Sequence, residues 1–278
     1  MSREYAPHGF IGMFTPQANT CVEAECAILF PPGIGMLASR LTSGRATIEE
    51  RLVDYVDTLE SKTREFGNVP LGALGFACTG SSYLAGRDRE DELLARLSTQ
   101  MGCHVSSSAV AVVDALRALR ADRIALVSPY SESLTQRSIG YWQSRGFSVG
   151  PVAKVVGDVA SGAHPIYGLG SQDAIRAVES LQGKDFDAIV LLGTGMPTLR
   201  AMLEGPQLDG APVISCTFAL AWRCVRALQG APASGESLRT WMADGVEGDA
   251  VRSGGVGHSG ASDAGWRARY RQRTLSPR

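Results

Sequence analysis

The chain has 278 residues, 44% of them hydrophobic, which is enough for a sizeable core in one large or two small domains and excludes disorder throughout. Twenty-seven basic residues against twenty-eight acidic ones leave a formal charge of −1, so no global field draws the chain to nucleic acid or to an anionic membrane, and a small molecule is the expected partner. No apolar run approaches the ~18 residues that span a bilayer, and the opening Met-Ser-Arg-Glu-Tyr lacks the apolar stretch of a secretory signal, so a cytoplasmic location is expected.

The first strand is a short apolar run, Phe10 to Phe14, which ends in Thr15-Pro16 and leads into Gln17-Ala18-Asn19. Residues Ile48 to Glu65 carry the helical period. A second strand, Leu71 to Ala77, runs into Cys78-Thr79-Gly80-Ser81-Ser82, and a third, from Val105, feeds a helix through Ala115 to Leu119. The same order then recurs. Ile124 to Val127 ends in Ser128-Pro129-Tyr130, Ala188 to Leu192 runs into Gly193-Thr194-Gly195, and Ile214 to Ala219 leads into Cys224-Val225-Arg226-Ala227-Leu228. Between them Ser171 to Leu181 reads as a helix opened by Ser171 as N-cap.

Three matched pairs, in order and at nearly one spacing, indicate a duplicated α/β unit rather than a solenoid of short repeats. Alternating strands and helices imply parallel sheets covered on both faces, because a parallel pair needs a crossover and the crossover is usually a helix. Ligands of such sheets bind at the carboxyl ends of the strands, and in a duplicated pair those ends can face one cleft. The expected division is a first subdomain at 9–120, completed by 217–245, and a second at 121–216. From about Val246 the chain is rich in Gly, Ser and Arg and poor in apolar residues, so 246–278 is expected to be a flexible tail.

The six cysteines are scattered, with no C-x-x-C pair and no histidine at zinc spacing, so neither a disulfide framework nor a metal centre is signalled. No glycine-rich phosphate loop occurs either, so no nucleotide cofactor is expected. Cys78 stands where an apolar strand stops and a small-residue turn begins. Backbone N–H groups of that turn suit a carboxylate and lower the pKa of a neighbouring thiol. The alternative for Cys78 is a buried packing role, the commoner fate of this residue type.

The matching turn has the same Thr-Gly step without the thiol, which makes Thr79 and Thr194 candidate hydrogen-bond partners of a carboxylate from two sides, or else simple capping threonines. Asn19 and Tyr130 are polar groups just beyond equivalent strands. Arg40 and, less so, Arg45 are candidate clamps for a second carboxylate, against the default of solvated surface arginines. Cys216, at a strand end, is an outside candidate. The other cysteines, Cys21, Cys26, Cys103 and Cys224, read as packing.

The segments Pro16-Gln-Ala-Asn19-Thr-Cys-Val-Glu23, Ala77-Cys78-Thr79-Gly80-Ser81-Ser82, Ala118 to Tyr130 and Gly193-Thr-Gly-Met-Pro-Thr-Leu199 together resemble the maleate isomerase and arylmalonate decarboxylase branch of the aspartate/glutamate racemase superfamily, over roughly residues 9 to 230. The resemblance implies two pseudo-twofold-related Rossmann-like α/β subdomains with the site in the cleft between them, and no metal, flavin or pyridoxal cofactor. It further implies Cys78 as the nucleophile, Asn19 and Tyr130 as carboxylate binders, and Thr79 as part of a dioxyanion site. From the residues themselves Gly80, Ser81, Gly193, Thr194 and Arg40 are further candidates for substrate contact.

Gly193 departs from the family pattern, since it falls where the relatives keep a second cysteine or, in the decarboxylases, their only catalytic one. A maleate isomerase-like reaction on a small dicarboxylic acid is expected. A decarboxylase with Cys78 as proton donor, an Asp/Glu-type racemase and a non-catalytic carboxylate-binding protein remain open, as does assembly into a homo-oligomer.

Overall fold

The computed structural model describes residues 4–155, 165–243 and 265–274. The first half of the chain runs β1 (Phe10–Pro16), α1 (Val22–Leu29), β2 (Gly35–Leu41), α2 (Ile48–Lys62), β3 (Leu71–Phe76), α3 (Thr79–Ala85), α4 (Arg87–Met101), β4 (His104–Ser107) and α5 (Ser108–Leu119). The second runs β5 (Arg123–Ser128), α6 (Glu132–Ser144), β6 (Ser148–Lys154), α7 (Ser171–Glu179), β7 (Ala188–Leu191), α8 (Leu199–Glu204), β8 (Gln207–Leu208) and β9 (Ala211–Ser215). Among the described residues, α9 (Cys216–Leu228), α10 (Gly235–Ala243) and α11 (Trp266–Thr274) follow.

The duplication is visible in the sheets. The first has strand order β2-β1-β3-β4 and the second β6-β5-β7-β9, extended by β8. All pairs are parallel apart from the short β8–β9 pair. Residues 11–16 of β1 and all four residues of β7 are buried, as helices on both faces of a parallel sheet require. Even the caps repeat: Ser107 accepts from Val110 N at 3.0 Å to open α5, and Ser215 accepts from Phe218 N at 3.2 Å to open α9.

Helix α9 follows the last strand of the second sheet but packs on β3, β4, α1 and α5 of the first half. Its Phe218, Leu220 and Trp222 are wholly buried. That approach needs a bare backbone at Gly72, where a Cβ would overlap Leu228 Cδ1. Two buried carboxylates tie the halves together. Glu25 on α1 accepts from the N–H groups of Thr198 (2.6 Å) and Leu199 (3.2 Å) at the start of α8. Glu90 on α4 pairs with Arg145 at 2.7 Å and accepts from Tyr141 and Ser107 hydroxyls.

Two expectations need correction. Ser171 is the first residue of α7 rather than its cap. Gly170 holds the cap position, with its N–H donated to Asp173 Oδ2 at 2.8 Å. The C-terminal segment is not tail throughout, because 265–274 carries α11 with Trp266 and Tyr270 buried. Trp266 Nε1 donates to Trp241 O at 2.9 Å and its ring lies 5.7 Å from Phe218. Arg269 donates to the carbonyls of Ile28 (2.7 Å) and Leu29 (3.1 Å), which the end of α1 leaves open. Two aromatic anchors and a carbonyl-capping arginine fasten a helix that composition alone marks as solvated. Residues 246–264 and 275–278 of the expected tail lie outside the described residues. Among the described residues no helix is long and apolar enough to cross a membrane.

Candidate active site

The carboxyl ends of β1, β3, β5 and β7 converge on a cavity of about 230 Å³. Its polar lining comes from both halves: Asn19, Cys78, Thr79 and Gly80 from the first, Tyr130, Thr194 and Gly195 from the second. Five of the residues expected from the sequence at strand ends, Asn19, Cys78, Thr79, Tyr130 and Thr194, thus meet in one place.

Cys78 follows the buried end of β3 as the N-cap of α3 and is 5% exposed. Its Sγ accepts from Ser81 Oγ at 3.2 Å and from the backbone N–H groups of Ser81 and Gly80. Burial pushes the thiol's pKa up, and these hydrogen bonds pull against it without reversing it. The sequence expectation was a lowered pKa. Desolvation of the charged form outweighs the turn's N–H groups here.

Two hydrogen bonds between side chains stitch the halves across the cavity. Thr79 Oγ1 and Tyr130 OH are 2.8 Å apart, and Asn19 Nδ2 donates to Thr194 Oγ1 at 3.1 Å. Each strand-end loop therefore reaches the threonine of the other half. Thr194 spends its own proton on Ala77 O at 2.8 Å, while Asn19 Oδ1 accepts from Cys21 N (2.8 Å) and Val22 N (3.1 Å), capping α1. One amide hydrogen of Asn19 remains for a ligand, and so does the Tyr130 phenol proton when Thr79 is the donor within their pair. Burial holds the Tyr130 phenol well above its ordinary pKa, so it stays a donor.

Other expected residues sit elsewhere. Ser81 supports the Cys78 thiol but does not line the cavity. Gly193 is not in the lining either; its φ is +83°, and a Cβ there would lie 2.8 Å from Ile166 Cδ1 and 3.2 Å from Tyr130 OH. Arg40 does not line the cavity. It pairs with Glu23 and donates to the carbonyls of Pro16 (3.1 Å) and Asn19 (2.6 Å), bracing the Asn19 loop from behind. Arg45 lines a separate open groove with Glu49 and Asp54.

Cys216 is wholly buried behind Thr79, with burial pushing its thiol up to about 12. Cys21, read as packing, donates its thiol to Gly195 O at 3.1 Å beside the site.

Missed from the sequence were Ile48, Arg51, Leu52 and Tyr55, one face of α2, and Ile166 with Tyr167, which complete the cavity's lining. The only available signal was the i, i+3, i+4, i+7 stripe of α2, which tells a buried face but not what it faces. Among the described residues no cluster of three His, Cys, Asp or Glu side chains could hold a metal ion.

A strand-end thiol in a cavity between two duplicated α/β lobes is the arrangement expected from the sequence resemblance. The chain belongs to the arylmalonate decarboxylase family, whose model matches residues 11–238. It is 27% identical over 240 residues to the maleate isomerase of Geobacillus stearothermophilus, covering 80% of this chain and 93% of that protein. It is 27% identical over 223 residues to the arylmalonate decarboxylase of Bordetella bronchiseptica, covering 78% and 89%. A solved structure of the Nocardia farcinica maleate cis-trans isomerase, a cysteine-to-serine variant with a covalently bound succinylcysteine intermediate, superposes with a TM-score of 0.71 at 25% identity, covering 84% of this chain and 98% of that one.

Proposed function

We propose that this chain is a cofactor-independent cis-trans isomerase of a small maleate-like dicarboxylic acid, with Cys78 as nucleophile. The observation that carries the reading is the Cys78 sulfur at the cavity, faced by neutral donors from both lobes. The thiolate adds to one alkene carbon, forming a C–S bond while the π pair moves onto the neighbouring carbon and its carboxylate. The resulting enediolate-like oxygens are held by the free protons of the Thr79–Tyr130 pair and Asn19. The former double bond, now single, rotates. Breaking the C–S bond then restores the alkene in its trans form and frees the thiolate, with no net proton consumed.

The covalent succinylcysteine of the Nocardia relative supports addition at sulfur. The test is proton NMR in deuterated water of the protein with maleate, substituted malonates, and aspartate or glutamate. Conversion of maleate to its trans isomer is expected, whereas carbon dioxide loss from a malonate or α-deuteration of an amino acid in its place overturns the isomerase.

A decarboxylase is the second reading, favoured by the family match over 11–238 and by an apolar wall of Leu52, Tyr55 and Ile166 that an aryl or alkyl substituent would fill. In it the same donors hold the enediolate left by carbon dioxide, and the Cys78 thiol protonates it.

A further inference from the structure

We propose that Arg51 receives a second anionic group of the substrate and makes this site selective for dicarboxylates over monocarboxylates. The inference rests on the carboxylate-binding reading of the cavity and names a residue for it that the sequence did not single out.

Helix α2 presents Ile48, Leu52 and Tyr55 to the cavity at positions i, i+4 and i+7. Arg51, at i+3, falls on the same face. A charge in an otherwise apolar, cavity-facing stripe is the anomaly that calls for a partner. Arg51 is half-buried and is the one cationic side chain in the cavity lining among the described residues.

Its guanidinium is fixed from behind. Nε donates to Arg45 O at 3.0 Å and Nη2 to Ala46 O at 2.9 Å, both in the segment that leads into α2. Nη1 makes no hydrogen bond among the described residues. The first-turn carboxylate of Glu50, which would compete, is engaged by Thr47 in a capping box at the head of the helix.

Charge is therefore distributed unevenly over the site. The donors Asn19, Thr79 and Tyr130 that line the cavity with Cys78 are neutral, and Arg51 is the single cation that shares the lining with them. One carboxylate held by the neutral donors and another by Arg51 would place the carbons between them against the sulfur. A guanidinium with free N–H groups recognises a carboxylate by direction as well as by charge, which an ammonium cannot reproduce fully.

The test is calorimetric binding of two unreactive probes, succinate with two carboxylates and butyrate with one, to the wild type, Arg51→Met and Arg51→Lys. Wild type is expected to prefer succinate. Arg51→Met should weaken succinate by at least about tenfold while leaving butyrate within about twofold, and Arg51→Lys should fall between. Unchanged butyrate binding shows that the variant site is intact.

Equal loss of both probes, no loss of either, or a wild type without preference for succinate overturns the proposal. Should Arg51→Met not fold, Arg51→Gln takes its place with the same expected outcome. Maleate turnover is followed separately. Succinate selectivity through Arg51 without maleate turnover removes the isomerase and leaves this inference standing, and turnover without that selectivity does the reverse.

Discussion

The turns Cys78-Thr79-Gly80 and Gly193-Thr194-Gly195 occupy equivalent places in two sheets of the same strand order, yet they are not copies that differ by one side chain. Cys78 has φ −146° and passes straight into α3, so the N–H groups of Gly80 and Ser81 converge on its sulfur. Gly193 has φ +83°, and its turn runs on through Pro197 and Thr198 before α8 begins at Leu199. The first turn is shaped around a side chain. In the second, Gly193 takes a backbone angle that side-chain-bearing residues rarely adopt, and the space its Cβ would enter is bounded by Ile166 and Tyr130. The two turns thus differ in backbone as well as in side chain, and only the first brings a thiol to the cavity.

The strongest test of that asymmetry removes the thiol. Cys78→Ala should lower turnover by on the order of a thousandfold or more, measured as product formation by NMR. Retention of even a tenth of the activity would move the chemistry to another group. Next come the two threonines. Thr79→Val is expected to cost roughly a hundredfold in kcat/KM, since it removes the partner of Tyr130 and a donor beside the sulfur. Thr194→Val should cost less, because that hydroxyl already gives its proton to Ala77 O. Equal losses would show that both lobes hold the developing charge alike.

Gly193→Cys asks whether the lobes can be made equivalent again. The left-handed φ and the 2.8 Å approach to Ile166 Cδ1 predict a stability loss of about 1–3 kcal/mol by denaturant unfolding, with no gain of racemisation. A variant of unchanged stability that racemises aspartate or glutamate would contradict this. The smallest effect concerns pH. The thiolate is the reactive form, and burial raises the Cys78 pKa, so kcat/KM should still be climbing past pH 9.0. Ser81→Ala removes a hydrogen bond that lowers the pKa, so its profile should shift to higher pH. A shift to lower pH would mean that Ser81 does not act on the sulfur.

Much of this arrangement was legible in the sequence because the repeat is strict at strand ends. Thr15-Pro16 against Ser128-Pro129, and Thr79-Gly80 against Thr194-Gly195, locate the convergent edge of each sheet. The rule that ligands sit there then gathers Asn19, Cys78, Thr79 and Tyr130. What stayed hidden depends on partners distant in sequence. Arg40 looked like a clamp because nothing local marks its pairing with Glu23 or its grip on the Asn19 carbonyl. Arg51 and Tyr55 were invisible because helical period reports a buried face but not which cavity lies under it. Trp266 and Tyr270 were lost in a stretch whose average polarity conceals two aromatic anchors.

Until α9 leaves the ribosome, the first lobe has an open flank. The surface of β3, β4 and α5 on which Phe218, Leu220 and Trp222 pack waits through synthesis of the entire second sheet. A nascent chain ending after α5 therefore exposes apolar surface that nothing synthesised so far can cover, which invites chaperone binding or aggregation. Closure then joins residues far apart in sequence, the kind of contact that forms slowly because a long loop must be ordered first. The two lobes are accordingly expected to reach the native state in one cooperative event. Severing the chain between α5 and β5 should leave a first half that is unstable by itself and recovers only when the fragment carrying α9 is added back.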